Sequence, residues 1–199
     1  MLRKRCLQVR TQSTTIDMKK RIIVCCLSLC FISGVFSQVK INPRFEQLLQ
    51  DANLVFLEPT ESSYRAVKAL KNDYLDSDFI IRSKREGLEI RYVIQPLSVG
   101  EADFWPHVEA SRLLTHLASN EEDGVMVGHR IEENQLLQAF GADWAAYYYF
   151  EPKSAFGAYR HCRLLALYKE GQAMAYVVFL FNEPSRELEQ RLLALQFEQ

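Results

Sequence analysis

Residues Ala173-Met174-Ala175-Tyr176-Val177-Val178-Phe179-Leu180-Phe181 decide the fold. From Ala175 onward every position is apolar, so neither side of an extended chain here can face water, and the segment is expected to be a strand covered on both faces. Glu170-Gly171-Gln172 before it is a tight hairpin signal, which pairs it antiparallel with residues 161–169. Working outward, residues 78–83 and 88–94 cluster or alternate like a second pair of strands around the polar turn Lys84-Arg85-Glu86-Gly87. In the latter strand Leu88, Ile90, Tyr92 and Ile94 share one side and Glu89 and Arg91 the other, the pattern of a strand half open to solvent. Residues 144–150 supply a further strand, and 54–57 a brief apolar run ended by Pro59.

Four stretches have helical spacing. Asn42-Pro43 opens one with Phe45, Leu48, Leu49 and Ala52 on its apolar stripe. Asp103 is placed to cap a second, with Pro106 in its first turn, Val108, Leu113, Leu114 and Leu117 on its buried side and an end near Ser119. After a polar loop over 120–124, residues 132–140 carry Leu136, Leu137 and Phe140, stopped by Gly141. Ser185 can cap a last helix whose Leu188, Leu192, Leu195 and Phe197 pack back on the sheet. An antiparallel sheet with a doubly apolar centre needs cover on each face, and the three longer helices are the expected source. The fold class is therefore α+β, a three-layer α/β/α sandwich.

This order of elements resembles the PsbP-like α/β/α sandwich superfamily, from Phe56-Leu57-Glu58-Pro59 through the strand at 88–96 to the strand at 173–181 and the helix after it. The likeness implies an adaptor or accessory role. Gly141-Ala142-Asp143-Trp144 together with Tyr159-Arg160-His161-Cys162 also resembles uncharacterised exported bacterial proteins, which brings no activity with it.

The 199 residues hold 24 Lys and Arg against 25 Asp and Glu, with 48% hydrophobic residues. That composition excludes disorder, collagen-like repetition and a disulfide-dense miniprotein. The first 37 residues carry seven basic and one acidic residue, leaving 17 basic and 24 acidic over 38–199, a net charge of −7. Lys19-Lys20-Arg21 precede an apolar stretch of 15 residues over 22–36, and Val35 and Ser37 suit a signal peptidase, so cleavage is expected between Ser37 and Gln38. A membrane span needs about 20 apolar residues, which makes an uncleaved anchor the alternative and the signal segment the sole expected contact with a membrane. Residues 1–17 read as an upstream extension before a start at Met18, residues 18–37 as the signal peptide, and 38–199 as a single domain, periplasmic or secreted. Cys162 is the one cysteine left in that domain, expected to be buried in its strand; the rival is an exposed thiol that pairs with a second chain.

Chemistry is sparse. His161 and Cys162 are neighbours on a strand, so their side chains leave opposite faces and cannot meet as nucleophile and base. His107, His116, His129 and His161 lack ligand spacing, and no metal is expected. No cofactor is expected either, since there is no phosphate-cradling glycine loop, and a −7 domain repels nucleic acid. The remaining candidate is aromatic: Asp143, Trp144, Tyr147 and Tyr149 as a ligand-binding face for a saccharide, peptide or protein, with cover by a helix layer as the plainer account. The expected function is an exported non-catalytic binding or accessory domain whose ligand or partner is unknown. The alternatives are a periplasmic enzyme with a site assembled from distant residues, or a subunit of an envelope complex.

Overall fold

The computed structural model describes residues 39–59, 64–68, 72–98, 104–121, 124–132 and 134–199; the upstream extension, the signal segment with Ser37 and Gln38, and the Asp103 cap lie outside these. Along the chain run α1 (Pro43–Asp51), β1 (Leu54–Phe56), β2 (Tyr64–Ala66), β3 (Phe79–Ser83), β4 (Leu88–Pro96), α2 (Pro106–Leu117), β5 (Met126–Arg130), α3 (Asn134–Phe140), β6 (Trp144–Phe150), β7 (His161–Lys169), β8 (Ala173–Phe181), α4 (Glu187–Arg191), a 3-10 turn (Leu192–Ala194) and β9 (Leu195–Phe197). Seven strands form one antiparallel sheet in the order β2-β3-β4-β8-β7-β6-β5, with β1 and β9 paired apart from it. The all-apolar β8 is central and buried at each of its nine positions, with Ile90 opposite Phe179 and Leu165 opposite Val177. Its two neighbours supply the main-chain partners, and layers of cover take both rows of side chains. The molecule is an α+β sandwich.

On the first face, Tyr92, Val177, Phe179 and Leu165 pack beneath Phe45 and Leu49 of α1, Leu54 of β1, Phe140 of α3, Leu188 of α4 and Leu195 and Phe197 of β9. Asn42 caps α1 by accepting the Phe45 N–H at 2.8 Å, and the Phe45 ring stacks on Phe79 with centroids 4.7 Å apart. Gly141 ends α3 at φ +60°, where a Cβ would lie 2.7 Å from the Phe197 carbonyl oxygen, so the helix can stop against β9 only with glycine. On the second face, Leu164, Tyr176, Val178 and Cys162 lie under Ala110, Leu114 and Leu117 of α2 and under Phe156.

Five expectations are corrected. β4 is not half solvated: Glu89 is 1% exposed, because Phe156 and Tyr159 close over its polar side. Val108 is 50% exposed, and Ala110 takes the buried position on α2, which ends at Leu117 rather than Ser119. Trp105, not a polar side chain, occupies the N-cap of α2. The last helix breaks after Arg191, and Leu195 and Phe197 instead pair with Phe56 and Leu54 in an extra small sheet, since that pairing buries both side chains. Helices are thus not the only cover. Finally, two strands carried no signal read from the sequence, β2 and the fully exposed β5.

Candidate functional site

α2 crosses only part of the second face, and the 72–78 loop stands beyond it. Between them a cleft of about 680 Å³ opens onto the sheet. Its floor is Tyr176 of β8 and Gln95 of β4, one wall is the Leu113 side of α2, and the other is Tyr74 and Leu75. The volume is of the size that admits a small organic ligand.

Each wall is held by a defined contact. Asn72 fixes the loop twice: its Nδ2 donates to the Phe156 carbonyl at 3.3 Å and its Oδ1 accepts the Tyr74 N–H at 2.9 Å. Lys153 Nζ donates to the His116 carbonyl at 2.8 Å, satisfying an end of α2 where carbonyls are left over, and sits 5.6 Å from the centre of the Tyr74 ring. Segment 151–153 is itself tied to the helix end through Ser119 N–H to Glu151 O and Lys153 N–H to Leu117 O. Arg112 pairs with Glu109 at 2.6 Å along the helix, and His116 lies 5.4 Å from the Tyr74 ring. Burial, reinforced by the Glu109 carboxylate, pushes the Tyr176 phenol up, so the floor presents a neutral hydroxyl at neutral pH. Arg112 and Lys153 against Glu109 give the rim a positive excess within a domain of negative net charge.

The same face buries an ionic cluster beside the cleft. Glu89 is held by Arg82 across the β3–β4 pair, by Arg91 at 2.7 Å and by the Tyr159 hydroxyl, which donates at 3.2 Å. Arg91 also donates to the Phe156 carbonyl at 3.2 Å and its guanidinium stacks 4.6 Å from the Phe156 ring centre. This satisfied set clamps the 151–160 loop over the sheet.

The aromatic residues singled out from the sequence do not form one site. Tyr147 and Tyr149 share the first face and are half-buried at the margin of its core. Tyr147 lies 5.3 Å from His129 and 5.9 Å from the Arg163 guanidinium, and Arg163 pairs with Glu189 at 2.6 Å. Tyr149 shares a 2.7 Å hydrogen bond with Nδ1 of His161. Trp144 points to the opposite face, toward the α2 layer. Asp143 braces the β7–β8 turn by accepting the Glu170 N–H at 2.8 Å. Cys162 is buried on the α2 side, its thiol pushed up by burial, with His161 turned away from it to Tyr149. Among the described residues, no three His, Cys, Asp or Glu side chains converge as metal ligands, and no helix is long and apolar enough to cross a membrane.

The cleft residues were missed in the sequence because Tyr74, Gln95, Arg112, Lys153 and Tyr176 come from five separate segments. Only Tyr176 carried a signal, as the sole hydroxyl in the apolar run of β8.

No protein-family model matches the chain, and no curated protein matches it. Among solved structures, it is similar to the solution structure of cyanobacterial PsbP (CyanoP) from Synechocystis sp. PCC 6803, at 13% sequence identity and a TM-score of 0.43, over 85% of this chain and 97% of that one.

Proposed function

We propose that the protein is an exported, non-catalytic binding or accessory domain, and that it takes a small amphipathic anion into the cleft between α2 and the 72–78 loop. The observation that carries this reading is the cleft itself: a space of about 680 Å³ with an apolar and aromatic lining from Leu75, Leu113, Tyr74 and Tyr176, rimmed by the cationic Arg112 and Lys153 against the acidic Glu109. A flat apolar body gains by leaving water for such a lining, and a carboxylate or sulfonate on it meets Arg112 and Lys153. Export rests on the basic, apolar and small-residue order of residues 19–37.

The test uses 8-anilino-1-naphthalenesulfonate, an aromatic anion, titrated into the native protein with fluorescence as readout. Saturable binding to one site is expected, weakened about tenfold or more by Arg112→Glu and abolished when Leu113→Trp fills the cleft. Absence of saturable binding, or binding indifferent to both substitutions while circular dichroism reports a native fold, would remove the proposal.

A further inference from the structure

The sheet ends on two unlike edges. β2 is three residues long, with Tyr64 buried and Arg65 exposed. β5 is five residues long, exposed at each position, and is entered through Val125; Val125, Met126 and Val127 are 55%, 51% and 54% exposed. The ladder fixes which way its main chain points. Ile131 N–H donates to the Ala145 carbonyl in the register that pairs Met126 with Phe150, so odd-numbered residues bond to β6. Met126, Gly128 and Arg130 therefore turn their N–H and C=O groups outward, along an edge with no proline and no charge before His129.

We propose that this edge pairs with the β5 of a second copy of the chain, antiparallel about a two-fold axis at Val127, joining two sheets into one. The strand is complementary to itself in that register. Met126, the largest side chain, falls opposite Gly128, and both residues exchange their outward N–H and C=O groups. Gly128 is roofed by Tyr148, whose Cδ1 would lie 2.8 Å from any Cβ placed there, so the incoming Met126 thioether arrives at an aromatic ring.

Sedimentation of the purified protein from micromolar to millimolar concentration should show a reversible monomer–dimer equilibrium. Amide exchange should slow with concentration at Met126, Gly128 and Arg130, while Val127 and His129 are protected throughout. Met126→Pro deletes an outward donor without touching the β6 ladder, and by symmetry deletes it twice; the dimer should weaken about tenfold or more with the circular dichroism spectrum unchanged. Val127→Lys, a charge on the axis, should do the same without altering the backbone. A monomer at every concentration, a dimer that survives both substitutions, or open-ended growth in place of a closed pair would each overturn the proposal.

Discussion

The two faces of the sheet are covered in different ways. Over Tyr92, Val177 and Phe179 lie α1, the β1–β9 pair, α3 and α4, so that aromatic and aliphatic side chains from many short elements interlock, as in the Phe45, Phe56, Phe79 and Tyr92 group with centroid distances of 4.7–6.2 Å. Over Tyr176, Val178 and Cys162 lie one helix and two loops, and there the protein buries charge and leaves a cleft. Many small pieces can fit a sheet closely; a single rigid helix leaves a gap beside it, which is where a ligand can enter.

The largest expected effect is on the closely fitted face. Phe45→Ala removes a fully buried ring that stacks on Phe79 and should cost about 3–5 kcal/mol in chemical denaturation. A loss below about 1 kcal/mol would mean that this face is no better packed than the other. Next, Glu89→Gln keeps the shape of the ionic cluster but withdraws the charge from Arg82 and Arg91, and should cost about 2–3 kcal/mol by the same measurement. A neutral outcome would show that the cluster does not clamp the 151–160 loop.

The smallest effect is a dependence on pH that separates the buried thiol from the buried phenols. Burial raises the folded-state pKa of Cys162 and of the tyrosines Tyr92 on the first face and Tyr176 on the second. An unfolded chain loses these protons near about 8.5 for the thiol and about 10 for the phenols. The folded state holds them longer, so stability is whole below pH about 8 and falls as pH rises through and past those values. Melting temperature followed against pH should decline in two stages, and Cys162→Ala should flatten the first and leave the second. An unchanged first stage would show that the thiol is not sealed under α2.

Much of the fold was legible because it rests on short-range periodicity. The apolar run of β8, the alternation of β4 and the Asn42-Pro43 start of α1 each announce themselves within ten residues. What was not legible depends on partners distant in sequence. Leu188, Leu192 and Leu195 have helical spacing, yet Leu195 serves the small sheet because β1 offers it a buried place beside Phe56. Glu89 looked solvated because nothing near it reveals that Tyr159 and Phe156 arrive from a loop 70 residues on. β5 is exposed on both sides and broken by Gly128, so it has no alternation to read. Of the aromatic candidates, Tyr147 and Tyr149 do share a face as alternation requires, while Trp144 falls on the other by the same rule.

The position of β8 also bears on how the chain assembles. The β7–β8 hairpin closes locally around Gly171, and β3 with β4 closes locally around Gly87, but the two hairpins meet only through pairing of 88–96 with 173–181. That junction spans a long loop and should be the slow, late event in folding. A nascent polypeptide consequently has no finished core until its final stretch has emerged, and it stays threadable for nearly the whole of its synthesis.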